Sequence, residues 1–366
     1  MLFDPSRPNN FDLLRFVAAT LVLIDHSAVL TGRPGIAGPF GYETLGGFAV
    51  AVFFVISGFL VAASWERAPR LGAFTLKRAL RIVPAYAAVV ALAALALGPL
   101  VTELASGAYF RNPLTWAYFR NLTFVELHYS LPGVFTHNPF PNAVNGSIWT
   151  LPIEVAMYVV LAALGSVGLM TRPGVSVLVA VLAVGWFGWG AEANAAPPLY
   201  FDVLPAGYTL HLALWFFTGS ALWLWRARVR YRADIAVALL VLLWWTEGSR
   251  AGPLVVHAGF AYLVLWAAQL PVGWMSRFGR GGDFSYGMYL YAFPVQQTLV
   301  TAGGASWPPT AYVMACFGVC LACAAASWHA IERPALRLKP RRTAFAASAP
   351  EDAGLIQGKP AGSGGR

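Results

Sequence analysis

Apolar runs long enough to cross a lipid bilayer recur from residue 11 to residue 330, and they leave this chain very few architectures. A hydrocarbon layer about 30 Å thick takes about 20 helical residues to cross and offers no water to unpaired backbone groups, so such runs fold as α-helices. Reading the runs between Pro, Gly and charged boundaries predicts about ten transmembrane helices, at roughly 11–30, 46–65, 80–100, 147–170, 174–191, 206–225, 234–247, 253–270, 284–302 and 310–330. The seventh, of about 14 residues, is short for a full crossing and reads as tilted, partly interfacial or misplaced. Only 11% of the 366 residues are charged and 58% are hydrophobic, whereas a soluble domain carries about 25% charge. A water-soluble fold is therefore excluded. The expectation is an all-α polytopic membrane bundle forming one domain over residues 1–342, followed by a disordered tail over 343–366, where Ala, Gly, Ser and Pro show no apolar periodicity.

The net charge of +9 belongs to the connections between apolar runs and not to one polar face, which argues for membrane orientation and against a nucleic-acid partner. With the N-terminus inside, Arg67, Arg70, Lys77, Arg78, Arg81, Arg172, the Arg226–Arg232 cluster, Arg277, Arg280 and the tail from Arg333 all fall on the cytoplasmic side. Arg33, Arg111, Arg120 and Arg250 fall outside with Glu192 and Asp202. An even number of spans with both termini cytoplasmic satisfies this pattern. The first run carries Asp25 and His26 and has no small-residue cleavage site, so it reads as a retained helix and not as a removed signal. Cys316, Cys320 and Cys323 share one apolar run at helical spacing and read as packing, with no disulfide framework and no metal site.

Ionisable residues inside spanning helices cost at least about 2.5–3.5 kcal/mol near the centre, so those present mark interior contacts or cavities. Arg15 and His26 lie eleven residues apart, nearly on one helical face and about 16 Å apart along the axis. With Asp12 one turn below Arg15, they predict a polar track leading inward to His26. Asp25 points about 100° away and is a helper at most. Glu154, about two turns into the fourth run, is expected at a depth similar to His26, where a carboxylate would orient the imidazole and raise its basicity. Each residue also has a bland reading: an interhelical hydrogen bond for His26, snorkelling for Arg15, a structural partner for Glu154. Lys77, Arg78 and Arg81 form a short basic loop into the third run, suited to phosphates or simply to positive-inside retention. The connection over about 101–146, rich in Asn, Pro and aromatic residues, is long for a passive loop and is expected to contribute to an acceptor site. Trp149 and Tyr158 read as interface anchors and packing.

In order along the chain, these segments resemble the acyltransferase 3 family, integral membrane enzymes that modify bacterial surface polysaccharides, lipopolysaccharides and related glycans. Arg15 with His26 resembles the family's first-helix pair, and Phe53-Phe-Val-Ile-Ser-Gly-Phe-Leu60 its second-helix signature. Lys77-Arg-Ala-Leu-Arg-Ile-Val-Pro84 is similar to its basic loop. Ser147-Ile-Trp-Thr-Leu-Pro-Ile-Glu154 with Tyr158, Phe284-Ser-Tyr-Gly-Met-Tyr-Leu290 and Glu332-Arg-Pro334 complete the match. The chain departs from the pattern at Ala292, where many members carry a His, so no role of that His transfers here. The resemblance implies a bacterial inner-membrane transferase that holds no permanent cofactor and takes an acyl-CoA, usually acetyl-CoA, as co-substrate. The acceptor it implies is a carbohydrate or glycolipid on or near the outer face. His26 and Glu154 are then the expected catalytic residues and Arg15, Lys77, Arg78 and Arg81 the expected donor site. Asp12, Asp25, Ser57, Ser147, Trp149, Tyr286 and Tyr289 are supporting positions. His26 can act as covalent acyl carrier or as general base. The rival from another class is a transporter of a sugar or lipid intermediate, which predicts internal repeats with broken helices; no convincing repeat is visible.

Overall fold

The computed structural model describes residues 8–193 and 205–339; the tail predicted at 343–366, Asp202 and the side chain of Glu192 lie outside the described residues. Each apolar run becomes a helix: α1 (Phe11–Leu30), α2 (Leu45–Arg67), α3 (Leu71–Leu92), α4 (Thr150–Ser166), α5 (Arg172–Ala193), α6 (Ala206–Leu224), α7 (Ala233–Trp245), α8 (Gly252–Ala268), α9 (Ser285–Thr301) and α10 (Pro309–Ser327). Among the described residues the only β pairing is an isolated bridge, Ala37 to Thr44. Six of these helices, with their extensions, are long and apolar enough to cross a membrane: α1 to α5 and α10. This is a multi-pass membrane protein. The predicted ten crossings are not reached on that criterion, and α7, α8 and α9 run only 13, 17 and 17 residues.

Contacts between residues far apart in the sequence sort the helix ends to two faces. Asn10, leading into α1, donates to Ala267 and Leu270 at the end of α8, and Arg226 beyond α6 pairs with Glu66 at the end of α2. That face carries Arg15, Lys77, Arg78 and Arg81 near it and is called the basic face below. At the opposite face Asn138 meets Gln297 of α9, and Glu43 meets His211 of α6.

The segment expected to be a basic loop is helical: α3 starts at Leu71, so Lys77, Arg78 and Arg81 project from its first three turns and Pro84 lies inside it. Charge misleads here because the cations turn into the protein, Arg81 onto Asp283 and Arg78 into the same interior, while Phe74 and Ile82 are buried beside them. At its far end α3 widens into a π turn, Ala93–Leu97, before Pro99. Proline lacks an N–H and crowds the carbonyl four residues back, and the wider turn relieves that crowding. The Tyr109 hydroxyl then donates to the Ala94 carbonyl at 2.8 Å. A second π turn, Trp328–Glu332, precedes Pro334 in the same way and carries Glu332 into the interior.

The centre is built on a close crossing of α2 and α6. A Cβ added at Gly58 would stand 1.8 Å from the Phe216 carbonyl oxygen, and one at Gly219 would stand 2.2 Å from that of Val55. Backbones approach this closely only where small residues face each other, and Ser220 Oγ seals the contact by donating to the Gly58 carbonyl at 3.0 Å. Around it pack Phe59, Trp215, Phe216 and Leu265. The 101–146 connection is also a packed structure: Tyr109, Tyr118 and Phe135 are buried in one cluster with Tyr86 and Ile148. Those three aromatic residues are therefore core, whereas Phe110, Trp116, Tyr129 and Phe140 of the same segment stay exposed. Cys316 and Cys320 are buried and Cys323 half-buried in α10, all as free thiols.

Candidate active site

Two cavities enter the bundle from opposite faces and abut. The inner one, toward the basic face, is walled by α2, α3, α4 and α9, with Arg15 of α1. The outer one gathers Asp25, His26, Glu43, Tyr129, Trp149, Tyr208 and His211. Val50 and Tyr289 line both, so these two side chains form the wall between them. The Tyr289 hydroxyl is fixed by the Ser147 carbonyl at 2.8 Å and by Thr150 Oγ1 at 2.7 Å, which ties the wall to the start of α4.

A charged network closes the basic face. Asp283, just before α9, receives Arg81 at 2.6 Å, Arg15 at 3.2 Å and the Ser285 hydroxyl at 2.5 Å. Burial pushes the Asp283 carboxyl up, but the Arg81 and Arg15 guanidiniums outweigh it and hold the group well below the usual carboxylate range. Arg81 also faces Glu332 at 3.8 Å, a residue only 2% exposed, and lies over the Tyr286 ring. Arg15 is shared with Asp12 at 2.5 Å. Arg78 differs: among the described residues no carboxylate reaches it, its Nε is buried without a hydrogen-bond partner, and its guanidinium lies 5.8 Å from the Tyr158 ring centre. Lys339 joins this group. Burial, and then Arg78, Arg81, Lys77 and Arg15 around it, lower its ammonium to about 8. Arg15, Lys77, Arg78, Arg81 and Lys339 thus outnumber Asp12, Asp283 and Glu332, an excess of positive charge suited to an anion.

Deeper in, Glu154 Oε1 accepts from the Ser57 hydroxyl at 3.0 Å and from the Tyr158 hydroxyl, and the Tyr286 hydroxyl donates to the Ile82 carbonyl at 3.0 Å. In the outer cavity the His26 ring meets Phe293 edge-on at 5.5 Å and its Nδ1 has no hydrogen-bond partner. Asp25 accepts from the Ile36 backbone N–H at 2.7 Å and occupies the room left by Gly46, where a Cβ would come within 2.5 Å of it. It fastens the 31–44 connection to α1.

Two expectations about juxtaposition change. Arg15 and His26 do not share a continuous track, because Ala18, Ala19, Val22 and Leu23 between them pack into an apolar cluster with α9 and α10. The way inward runs past Val50, Phe53 and Phe54 of α2 instead. Nor do Glu154 and His26 meet: one lines the inner cavity and the other the outer, with Tyr289 and Val50 between. The lead-in Gly146–Trp149 is a 3₁₀ turn, which rises about 2.0 Å per residue against 1.5 Å in an α-helix and so carries Glu154 deeper. Ser57, Tyr286 and Tyr289 do line the inner cavity, Trp149 lines the outer one, and Ser147 is buried behind the wall.

The sequence model of an acyltransferase domain matches residues 9–328. The chain belongs to the acyltransferase 3 family. Among relatives of this family member, an O-acetyl transferase of Shigella phage Sf6 is 28% identical over 300 residues, covering 80% of this chain and 86% of that protein. Nodulation protein 10 of Rhizobium leguminosarum bv. viciae is 30% identical over 368 residues, covering 90% of this chain and 94% of that protein. No solved structure matches the chain significantly. As an acyltransferase 3 protein the chain is an O-acyltransferase.

Sequence reading missed four residues of this acyltransferase, Glu43 and His211 in the outer cavity and Asp283 and Lys339 at the basic face, and it named Glu332 only as part of the closing motif. Asp283 carried a signal, since a carboxylate beside the Ser285-Tyr286 pair needs a cationic partner if it is buried. His211 carried none, because a lone His in an apolar run does not say what it faces.

Proposed function

We propose that this O-acyltransferase takes an acyl group, acetyl by preference, from coenzyme A entering at the basic face, which is cytoplasmic. It passes the group to a hydroxyl of a surface carbohydrate or lipid-linked sugar entering the outer cavity, in the inner membrane of a bacterium. The observation that carries this reading is the meeting of the two cavities at Val50 and Tyr289. The excess cations at the basic face would hold the donor's phosphates through charge-assisted bonds, with Arg78 foremost because its charge is not already neutralised. The pantetheine arm would then lie along α2, past Ser57 and Glu154, and bring the thioester to the wall.

His26 would take the acceptor hydroxyl proton as that oxygen attacks the thioester carbonyl. The carbon–sulfur bond breaks and the proton passes to the leaving thiolate, giving an ester and free coenzyme A. His26 lines the outer cavity, where such a hydroxyl would enter. Glu154 would act from the donor side, ordering Ser57 and Tyr158 around the arm. Purified protein should release coenzyme A from [14C]acetyl-CoA and label a bacterial surface glycan, and cells lacking the chain should lose a matching acetyl group by mass spectrometry. Glycan translocation without thioester cleavage would instead make the protein a transporter.

A further inference from the structure

Outside the proposed chemistry, the outer cavity holds a second carboxylate–imidazole pair with a fixed proton. His211 on α6 accepts at Nε2 from the Trp215 indole N–H at 2.9 Å. A neutral imidazole accepting there must carry its proton on Nδ1, and Nδ1 stands 3.3 Å from Glu43 Oε1. The ring is clamped as well: Trp186 stacks on it at 4.4 Å and 7°, and the Trp186 indole donates to Tyr42 at 2.8 Å. Only 6% of His211 is exposed. Glu43 is held from its other side by α2, where the missing side chain of Gly47 makes its room; a Cβ there would come within 2.3 Å of Oε2. Two successive glycines at the start of α2 thus seat two carboxylates, Asp25 over Gly46 and Glu43 over Gly47.

The two carboxylates differ in what they face. Asp25 is spent on the Ile36 N–H. The only side-chain partner of Glu43 among the described residues is His211, and Glu43 lines the cavity that holds His26. A carboxylate oriented by a buried N–H accepts hydroxyl protons strongly and in a set direction. In the same cavity Trp149 and Tyr208 pair at 5.2 Å, offering flat apolar faces with polar edges. Paired hydroxyls beside an apolar ring face are the chemistry of a sugar.

We infer that Glu43 binds hydroxyl groups of the acceptor sugar, that His211 is the positioning residue that aims it, and that Trp149 with Tyr208 supplies the stacking wall. This rests on the acyl-transfer reading above and adds to it the acceptor subsite. The site selects a neutral or cationic polyol and disfavours an anionic sugar unit at Glu43.

The test uses the purified full chain with [14C]acetyl-CoA and a panel of labelled neutral oligosaccharides, an α-glucan, a β-glucan, a chitin and a rhamnan series, from which the acceptor the parent labels fastest is taken forward. Glu43→Gln keeps the volume and removes the anion; His211→Gln removes the fixed N–H. Both should raise the KM for that acceptor at least tenfold while kcat falls less than KM rises, and Glu43→Asp should recover part of the loss. Coenzyme A binding, read by thermal shift, should match the parent and shows that the variants are folded. Parent acceptor KM in both variants overturns the inference and leaves acyl transfer standing, whereas a parent that labels no glycan brings down the underlying reading. Should Glu43→Gln lose its coenzyme A shift, Tyr208→Ala, at a half-exposed position, decides in its place: an unchanged acceptor KM there also overturns the subsite.

Discussion

Arg78 and Arg81 stand one turn apart on α3, but their surroundings assign them different work, and substitution should separate them. Arg81 is engaged by Asp283 at 2.6 Å and Glu332 at 3.8 Å. Arg81→Ala would leave both carboxylates buried without their main cation, a change that costs about 3–5 kcal/mol in buried pairs, a large share of a typical total of about 5–15 kcal/mol. Arg78 has no such commitment among the described residues. Removing it should spare the fold and cost the donor one charge-assisted contact, about 1.5–3 kcal/mol, or roughly 10- to 150-fold in coenzyme A affinity. The assay is a pair of measurements on detergent-purified variants: melting temperature, and calorimetric titration with coenzyme A. Arg78→Ala should melt like the parent and bind at least tenfold more weakly; Arg81→Ala should melt several degrees lower, with much of the loss recovered in Arg81→Ala/Asp283→Asn. Parent-like affinity in Arg78→Ala together with a parent-like melt in Arg81→Ala would refute the division.

Further substitutions probe other parts of the architecture. Gly58→Ala should lower the melting temperature strongly or prevent accumulation, because its Cβ would meet the Phe216 carbonyl oxygen at 1.8 Å, whereas Gly72→Ala, with open space around it, should melt like the parent. Glu154→Gln keeps an oxygen for Ser57 and Tyr158 but loses the charge that holds both hydroxyls, so it should stay folded and bind coenzyme A while turnover drops at least tenfold; full turnover would reduce Glu154 to packing. Burial raises the Glu43 carboxyl to about 7, so it is anionic above that pH and protonated below it. The acceptor KM should therefore rise as pH falls through about 7 in the parent and stay flat in Glu43→Gln. Because Asp25, His26, Tyr42, Tyr129, Tyr208 and His211 also face or flank this carboxylate, the difference between parent and variant is the reading that counts. The same raised value means that Glu43 supports the fold fully below its unfolded pKa and loses that support as pH climbs toward 7.

Apolar runs bounded by Pro, Gly and charge located α1 to α10 to within a few residues except α3, where Lys77, Arg78 and Arg81 hid more than two turns of helix, and the short helices of 98–123 carried no such signal. Composition placed the cations of the inner site because charge in an apolar chain is rare enough to mark a cavity or an aqueous face. Partnership was not legible. Arg78 and Arg81 look alike in sequence, and only the arrival of Asp283 from just before α9 and Glu332 from the π turn after α10 distinguishes them. Depth was legible to about one turn, which sufficed for His26, four residues from a helix end, but not for Glu154, whose lead-in is a 3₁₀ turn. The aromatic residues of 101–146 suggested recognition, yet Tyr109 and Tyr118 are consumed in packing against α3, and it is Tyr129, Trp149 and Tyr208 that reach the outer cavity.

The central claim is that donor and acceptor approach from opposite faces and meet at the wall formed by Val50 and Tyr289. Sealed vesicles carrying the protein with its basic face outward, [14C]acetyl-CoA outside and the labelled-fastest oligosaccharide enclosed, test it most directly. The account predicts acetylated oligosaccharide inside the lumen, coenzyme A released outside, and neither with His26→Ala. Label on the oligosaccharide only when both substrates are supplied on one side would contradict it.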